Sequence, residues 1–249
     1  MNAIIIAAGS GKRISDDVKN IPKSMVKING KPIIEHQLSV LHKAGINQIV
    51  VITGPYSEKF NVKNVTYVKD ECYEKHDILG SLMQGKKYFE KDTLILYSDI
   101  IFELKIIEKI LGSKKDISIA VDMNWEENYV GRTEHPKSEA ENVELDNNEE
   151  IIKIKKNIQN TKNNVGEFLG IIKFRNNGTE LFVKKYEELI KKNSGLFHEA
   201  PSILKAYVTD MIQELIDSNI KIEPILISGK WCEIDTMQDL KNAEKIFCF

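Results

Sequence analysis

Short apolar, β-branched runs alternate with amphipathic stretches over the first half of the chain. The runs predict strands at Ala3–Ala7, Gln48–Thr53, Val65–Val68, Thr93–Tyr97 and Ile117–Val121. Apolar residues spaced three and four apart predict helices between those strands, at Pro32–Ala44, Leu79–Phe89 and Leu104–Leu111. This alternation predicts an α/β fold, in which a mostly parallel sheet is flanked by helices.

The pattern changes near residue 122. Val143 and Leu145 alternate with polar residues before Asp146-Asn147-Asn148, and Ile152 and Ile154 do so after it, which predicts a β-hairpin. Further strands are predicted at Phe168–Phe174 and Ile222–Ile227, and further helices at Glu180–Lys191, Tyr207–Ser218 and Met237–Ile246. Because no linker or repeat interrupts the chain, we expect one domain over residues 1–249, with an inserted, partly antiparallel lid at about 122–175.

Composition narrows the class of protein. Hydrophobic residues are 42% of the 249, which is enough for a sizeable core. The 35 basic and 37 acidic residues nearly balance, which argues against a nucleic-acid-binding surface. No apolar run is long enough to cross a membrane. Three widely spaced cysteines, Cys72, Cys232 and Cys248, argue against disulfides and a zinc site. We expect a soluble cytoplasmic protein that binds neither nucleic acid nor membrane, and a homodimer is compatible with the pattern.

A glycine-containing basic loop follows the first predicted strand directly. It consists of Ala8, Gly9, Ser10, Gly11, Lys12 and Arg13. Its glycines let backbone N–H groups approach an anion, and its basic side chains suit phosphate. A dinucleotide fingerprint would need glycine in place of Ile14, and a Walker A loop would need glycine in place of Ile6. A phosphate-binding loop of another kind and an ordinary turn remain open at this point.

The next segment, Pro22-Lys23-Ser24-Met25, projects Lys23 from a stiff extended stretch. Together, AAGSGKR and PKSM resemble the signature of nucleotidyltransferases of the sugar-nucleotide pyrophosphorylase type. The resemblance implies a Rossmann-like sheet of the nucleotide-diphospho-sugar transferase type. It also implies that the glycine loop wraps a nucleoside triphosphate, and that Arg13 and Lys23 neutralise its phosphates as catalytic residues.

Two aspartates match the positions at which that family holds Mg²⁺ on the triphosphate. Asp99 follows the strand that ends at Tyr97, and Asp235 precedes the final helix. Hard carboxylate oxygens suit this cation, so the resemblance implies that both residues are metal ligands and catalytic. Two alternatives stay open: Asp235 could be the N-cap of the final helix, and Glu103 could compete with Asp99 as a ligand.

Gly80 and Ser81 lie near the start of a predicted helix, where backbone N–H groups face a ligand. We expect Gly80 to allow close approach of the nucleotide and Ser81 to donate a hydrogen bond to its base. A simple helix-capping loop is the alternative.

The middle of the chain carries the candidates for the second substrate. It contains Asp122, Trp125, Gly131-Arg132 and Lys156, and the chain later reads WCEIDTMQDL. This pattern is similar to cytidylyltransferases of phosphonate biosynthesis and to their bacterial choline-phosphate relatives. Arg132 and Lys156 suit a phosphonate or phosphate dianion, while Asp122 and Trp125 suit an ammonium tail. Trp125 as a core residue and Lys156 as a solvated lysine are the alternatives.

The leading hypothesis is a Mg²⁺-dependent cytidylyltransferase. It would join CMP from CTP to a small phosphonate or phosphomonoester, such as 2-aminoethylphosphonate, and release pyrophosphate. A sugar-1-phosphate nucleotidyltransferase that uses UTP or dTTP is the second hypothesis, and a regulator that binds nucleotide without chemistry is the third. The charged candidates in the middle of the chain favour a small charged acceptor over a sugar.

Overall fold

The computed structural model describes residues 1–9, 14, 18, 20–90, 92–192 and 195–247. Ser10, Gly11, Lys12 and Arg13 of the predicted phosphate loop, and Cys248, lie outside the described residues.

The described residues form strands and helices in the alternating order that the sequence predicts. The strands are Asn2–Ala7 (β1), Lys27–Ile28 (β2), Lys31–Pro32 (β3), Ile49–Thr53 (β4), Thr66–Lys69 (β5), Thr93–Tyr97 (β6), Ile100–Phe102 (β7), Ile117–Asp122 (β8), Glu141–Leu145 (β9), Ile151–Lys156 (β10), Asn164–Phe174 (β11), Glu223–Leu226 (β12) and Trp231–Glu233 (β13). The helices are Ile33–Lys43 (α1), Ile78–Gln84 (α2), Leu104–Leu111 (α3), Asn176–Lys192 (α4), Val208–Asp217 (α5) and Met237–Ile246 (α6). No helix in these described ranges is long and apolar enough to cross a membrane.

A mixed sheet of nine strands forms the centre of the described structure. Its main path runs β10-β9-β11-β6-β1-β4-β5, while β8 pairs with β11 and β12 pairs with β8. β1 is parallel to β4 and β6, and β11 is antiparallel to β6, β8 and β9. All strands of this sheet except β10 and β11 therefore run in the direction of β1, so the predicted mixed, mostly parallel sheet flanked by helices is confirmed.

The side chains of β1 alternate between two hydrophobic layers, as the pleat of a strand requires. Ile4 and Ile6 face the layer that α2 and α5 cover, and Ile5 faces the layer that α1 and α3 cover. Both faces of the central strand are thus buried, which explains why its sequence is a continuous apolar run rather than an alternating one.

Several boundaries differ from the predicted ones for identifiable reasons. α2 ends at Gln84, because the chain turns at Gly85 and continues as a single 3₁₀ turn, Lys86–Tyr88. β11 begins at Asn164, four residues before the predicted start, since its first residues pair with β9. The predicted hairpin is present as β9 and β10, which pair antiparallel.

Candidate active site

Two cavities meet at the carboxyl end of β6. The loop-side cavity is lined by residues that include Ala8, Gly9, Lys23, Ser81 and Asp99. The hairpin-side cavity, of about 270 Å³, is lined by residues that include Asp99, Lys156, Glu167, Tyr207 and Asp235. The two cavities share the lining residues Ile78, Tyr97 and Asp99. They therefore adjoin beside Asp99, where a group bound in one cavity can reach a group bound in the other. Ligands of open α/β sheets bind at such carboxyl ends of strands.

A small two-stranded sheet brings Asp99 and Asp235 together. Asp99 immediately precedes β7, and β13 pairs antiparallel with β7 so that Glu233 lies opposite Ile100. The Ile234 N–H then donates to the Asp99 carbonyl at 2.9 Å. Asp235 follows as the next residue, and its carboxylate arrives beside that of Asp99 although the two are far apart in sequence.

The N-cap of α6 is Thr236, not Asp235. The Thr236 side chain accepts from the Asp239 N–H, and the Asp239 carboxylate accepts from the Thr236 N–H at 2.9 Å, which forms a capping box. Asp239 also accepts from the Asp235 N–H at 3.1 Å. The helix end is therefore capped without the Asp235 side chain, which leaves that carboxylate to face the cavity.

Lys23 lies between the two aspartates. Its Nζ donates to Asp99 Oδ2 at 2.7 Å and to Asp235 Oδ1, and its side chain is only 8% exposed. Burial alone would lower the pKa of Lys23, but the attraction of Asp99, Asp235 and Glu233 outweighs it and raises that pKa above its usual value. The backbone around Lys23 positions its side chain. Pro22 precedes it, and the Lys23 N–H donates to the Gly9 carbonyl at 3.2 Å.

The aspartates fit the magnesium site that the sequence predicts. Asp99 Oδ1 is buried and has no hydrogen-bond partner, so one hard oxygen is available where a phosphate-bound cation would lie. Because Lys23 forms ion pairs with both carboxylates, it would have to shift toward the phosphates when a divalent cation takes its place. The magnesium site itself stays a prediction.

Two further residues belong to this cluster, and the sequence reasoning missed both. His135 Nδ1 lies 3.2 Å from Asp235 Oδ2, and His135 Nε2 lies 3.6 Å from Glu233 Oε2. Burial, together with repulsion from Asp235 and Asp99, raises the pKa of Glu233 to about 7. Glu233 could have been found, because it lies two residues before Asp235 in a strand-like run. His135 carries no local signal, since Glu233 and Asp235, its neighbours in space, lie far from it along the chain.

The hairpin-side cavity is rich in buried carboxylates. Burial raises the pKa of Glu141 to about 7, although the hydrogen bond from Thr209 Oγ1 partly opposes the shift. Burial, and then repulsion from Glu233, raises the pKa of Glu167 to about 8. Glu167 Oε1 accepts from the Tyr129 hydroxyl at 2.6 Å.

Lys156 is the predicted acceptor residue that does line this cavity. Its Nζ lies 3.1 Å from Glu139 Oε2 and 5.0 Å from the centre of the Tyr207 ring. Burial lowers its pKa, but the hydrogen bond to Glu139 and neighbouring negative charges outweigh that effect and raise it. Lys156 thus provides a positive charge, held in place by Glu139, that can bind an anion in the cavity.

Asp122 and Trp125 do not line either cavity beside Asp99. Asp122 Oδ2 accepts from Trp231 Nε1 at 2.8 Å, and Asp122 Oδ1 accepts from the Asn124 N–H. The Trp125 indole donates to the Val165 carbonyl at 3.0 Å and packs on Tyr129. Both side chains hold the lid segment to the sheet, and their predicted contact with an ammonium tail is not supported by this placement.

Arg132 does not line the hairpin-side cavity: it forms its ion pair with α6, and it reaches the cavity only through Glu233, whose Oε2 lies 4.0 Å from the Arg132 Nη2. Its Nε donates to Asp239 Oδ1 at 2.8 Å, its guanidinium carbon lies 4.6 Å from the centre of the Tyr129 ring, and its side chain is 7% exposed. Burial would lower the pKa of Arg132, but the ion pair with Asp239 raises it. The structure therefore separates Arg132 from Lys156, its predicted companion on the acceptor.

Ser81 lines the loop-side cavity, whereas Gly80 lies beneath His76, which lines it, and each of the two predicted residues has a structural task there. Ser81 Oγ donates to Asp70 Oδ2 at 2.7 Å, and Asp70 Oδ1 lies 3.0 Å from His76 Nε2. A Cβ on Gly80 would lie 1.9 Å from His76 Nδ1, so only glycine fits beneath this imidazole. The glycine thus allows the close approach of His76, and Ser81 reaches a nucleotide only if it exchanges or shares its bond to Asp70.

The chain is similar to proteins whose sequences and structures are known. Residues 3–156 match the family described as the MobA-like NTP transferase domain. The chain is 28% identical to CTP:phosphoglutamine cytidylyltransferase of Campylobacter jejuni, over 97% of this chain and 98% of that protein. It is also 28% identical to the bifunctional protein GlmU of Methanocaldococcus jannaschii, over 98% of this chain but only 54% of that protein. In structure it resembles the CTP:phosphocholine cytidylyltransferase of Streptococcus pneumoniae, with a TM-score of 0.71, 20% identity and 98% of each chain covered.

Proposed function

Because the chain belongs to the MobA-like NTP transferase domain family, we propose that it is a cytidylyltransferase acting on a small phosphorylated acceptor. In this proposal CTP occupies the loop-side cavity and the acceptor occupies the hairpin-side cavity. The products are the CMP-linked acceptor and pyrophosphate.

The observation that carries the proposal is the position of Lys23. It lies where the two cavities meet, between Asp99 and Asp235. A transferred nucleotidyl group must pass through that point, because it leaves a ligand in one cavity and joins a ligand in the other. A buried ammonium there stabilises the negative charge that develops on the α-phosphate in the transition state.

The reaction needs no covalent intermediate on the protein. An oxygen of the acceptor's phosphate or phosphonate attacks the α-phosphorus in line, a new P–O bond forms, and the bond to pyrophosphate breaks with its electron pair on the leaving oxygen. The acceptor oxygen is already ionised, so no general base is required. Mg²⁺ held by Asp99 and Asp235 would neutralise triphosphate charge, and the protein's share is positioning and electrostatics.

The relatives inform the choice of acceptor. The names of the Campylobacter and Streptococcus proteins describe cytidylyl transfer to phosphoglutamine and to phosphocholine. Lys156 provides a positive charge on the acceptor side, whereas the carboxylates of the same cavity suit an acceptor that also carries positive charge. We therefore propose phosphomonoesters and phosphonates with an amine or ammonium group, 2-aminoethylphosphonate among them, as the first acceptors to test.

Pyrophosphate release tests the proposal directly. CTP, UTP and dTTP are each combined with phosphoglutamine, phosphocholine, 2-aminoethylphosphonate, glucosamine 1-phosphate or glucose 1-phosphate in the presence of Mg²⁺. We expect turnover with CTP and a charged acceptor, and its loss in Asp99→Asn and Asp235→Asn. The exposed ion pair Lys69–Glu71 provides the control, because Glu71→Gln lies outside both cavities. Turnover confined to UTP or dTTP with a sugar phosphate would contradict the proposal.

A sugar-1-phosphate nucleotidyltransferase is the second candidate. The similarity to GlmU over almost the whole of this chain favours it. The hairpin-side cavity argues against it, since carboxyl groups rather than hydroxyl and amide groups dominate its polar lining. The same assay separates the two, because it varies nucleotide and acceptor independently.

A further inference from the structure

The Gln238 side chain, in the first turn of α6, binds the backbone of the lid segment 131–135. Its Oε1 accepts from the Thr133 N–H at 2.8 Å and from the Glu134 N–H at 3.2 Å. Its Nε2 donates to the Gly131 carbonyl at 2.8 Å. A carboxamide is both donor and acceptor, so this one side chain satisfies backbone groups of both kinds in the segment.

These hydrogen bonds lie at the surface of the protein. Gly131, Thr133 and Glu134 are exposed, whereas His135, the next residue, is only 4% exposed. Water competes for exposed hydrogen bonds, so each of them contributes little net stability. The contact with Gln238 can therefore break and form again while the rest of the fold stays intact.

The buried residue of the segment, His135, forms part of the wall of the hairpin-side cavity. Its Nδ1 lies 3.2 Å from Asp235 Oδ2, and its Nε2 lies 3.6 Å from Glu233 Oε2. Because Glu134 leads directly into His135, a displacement of the backbone at Glu134 would draw the imidazole out of the wall. The cavity would then open to solvent on that side.

The two ends of the segment are held with different strength. The Arg132 side chain is 7% exposed and pairs with Asp239 at 2.8 Å. Breaking such a buried ion pair is strongly destabilising, so Arg132 is a fixed point. Residues 133–135 follow it and are held on their exposed side by Gln238, so a movement that leaves Arg132 in place would involve these three residues.

We propose that residues 133–135 form a gate over the hairpin-side cavity and that Gln238 is its latch. The gate is closed while the Gln238 carboxamide holds the segment, and it opens when that contact breaks. Gln238 acts through the position of His135, so it is a positioning residue. The assignment of the cavity to the acceptor rests on the proposed function, whereas the opening of the gate is a property of the chain alone.

Chemical modification of histidines tests the gate without substrates. Diethyl pyrocarbonate modifies accessible imidazoles, and mass spectrometry of proteolytic peptides gives the rate at each one. His135 should react slowly in the wild-type chain, with the exposed His42 as the internal reference. Gln238→Met keeps the length of the side chain but removes its three hydrogen bonds to the segment. It should raise the rate at His135 relative to His42 by about tenfold or more.

Two further variants make the comparison specific. Gln238→Glu keeps an oxygen that can accept from both N–H groups of the segment, so it should retain part of the protection of His135. Asn29→Gly is the matched control, because the Asn29 carboxamide donates to two carbonyls near the other end of α6, at 3.1 and 3.0 Å. Asn29 has a φ of +50°, which glycine adopts readily, and its loss should leave the rate at His135 unchanged.

Two results of the modification experiment would overturn the proposal. One is a rate at His135 that is no higher in Gln238→Met than in the wild-type chain. The other is an equal rise at His36, which is 5% exposed and lies on α1, since that would show a loosening of the whole fold rather than a gate.

Steady-state kinetics then relate the gate to the acceptor. With CTP and an acceptor that gives turnover, Gln238→Met should raise the KM for the acceptor by about fivefold or more and that for CTP by less than about twofold. The reason is that none of residues 131–135 belongs to the described lining of the loop-side cavity. Equal changes in the two KM values would overturn the gate. Absence of turnover with every pair of substrates would contradict the proposed function instead, and the rate at His135 would still decide whether Gln238 is a latch.

Discussion

Arg132 and Asp239 join the lid segment to the helix that follows Asp235. The Arg132 Nε donates to Asp239 Oδ1 at 2.8 Å, and the other oxygen of Asp239 accepts from the backbone N–H groups of Asp235 and Thr236. The Asp239 carboxylate thus binds Arg132 of the lid segment through Oδ1. Through Oδ2 it binds the backbone of Asp235, the candidate metal ligand. Arg132 consequently acts on Asp235 through Asp239, and its guanidinium also lies 4.0 Å from Glu233 Oε2.

Arg132→Ala should destabilise the protein and impair both substrates alike. The substitution leaves Asp239 buried without its cation, which costs about 3 kcal/mol when one partner of a buried pair is removed. Urea unfolding measures the loss of stability. Steady-state kinetics, with CTP and acceptor varied in turn, should show similar losses of kcat/KM for the two substrates, because Asp235 lies where the two substrates would meet.

Lys156→Ala is the matched comparison, since Lys156 lies in the hairpin-side cavity itself. It should raise the KM for the acceptor more than that for CTP and should change stability little. A selective loss of acceptor affinity in Arg132→Ala, with unchanged stability, would instead restore the sequence-based role of Arg132 as the group that binds the acceptor's anion.

Lys23→Ala should lower kcat by about a hundredfold or more, since it removes a buried cation from the point where transition-state charge develops. Pyrophosphate release at saturating substrate measures this effect. Lys69→Ala is the control, because Lys69 forms an exposed ion pair with Glu71 and should leave kcat unchanged. A variant with normal kcat and only a raised KM for CTP would show that Lys23 binds the ground state alone.

The sequence predicts the central sheet well because its strands carry their own signal. β1, β4 and β6 are buried on both faces, so each appears as an uninterrupted apolar run that is easily recognised. β7 and β13 are three residues long and become strands only by pairing with each other. No local pattern predicts such a pair, although it is the feature that brings Asp99 and Asp235 together.

The same distinction between local signals and long-range pairing applies to the candidate site. Asp99, Asp235 and Lys23 were predicted from motifs, and the structure brings them into contact. The role of Arg132 was predicted from residue type and position, but its partner Asp239 lies 107 residues further along the chain. A charged side chain in a sequence does not identify its counterion, so the pairing of Arg132 with Asp239 could not be predicted.

Gly80→Ala should destabilise the fold and disturb the loop-side cavity. The new methyl group would overlap the ring of His76 and also its Cβ, at 2.5 Å, so the side chain could not simply rotate away. Overpacking of this kind costs about 1–3 kcal/mol, measured by thermal or urea unfolding. Because His76 and Ser81 share Asp70, the KM for CTP should rise as well.

Gly112→Ala provides the comparison for Gly80, since its added Cβ would approach no atom more closely than 3.3 Å. It should change stability by less than Gly80→Ala and leave the KM for CTP unaltered. Equal effects of the two substitutions would show that the contact between Gly80 and His76 does not determine the shape of the cavity.

Glu167 should make stability depend on pH in the direction opposite to that of an ordinary ion-paired carboxylate. Its pKa is raised from 4.5 to about 8 in the folded state, mainly by burial and then by Glu233 and Asp122, whereas Tyr129 and Arg132 oppose the shift. Between these two values the folded chain holds a proton that the unfolded chain has released. The contribution of Glu167 to the free energy of unfolding is therefore greatest below about pH 4.5. It declines as the pH rises toward 8, by up to about 1.4 kcal/mol per pH unit.

Glu167→Gln should flatten that decline, because glutamine is neutral throughout and its carbonyl oxygen can still accept from the Tyr129 hydroxyl. Urea unfolding from pH 5 to 8, in EDTA so that cation binding does not contribute, gives the two slopes. The variant should be the more stable of the two near pH 8. Glu150→Gln is the control, since Glu150 pairs with Lys221 at the exposed surface and should leave the wild-type slope intact. Parallel pH profiles for wild type and Glu167→Gln would mean that Glu167 is ionised in the folded protein at neutral pH.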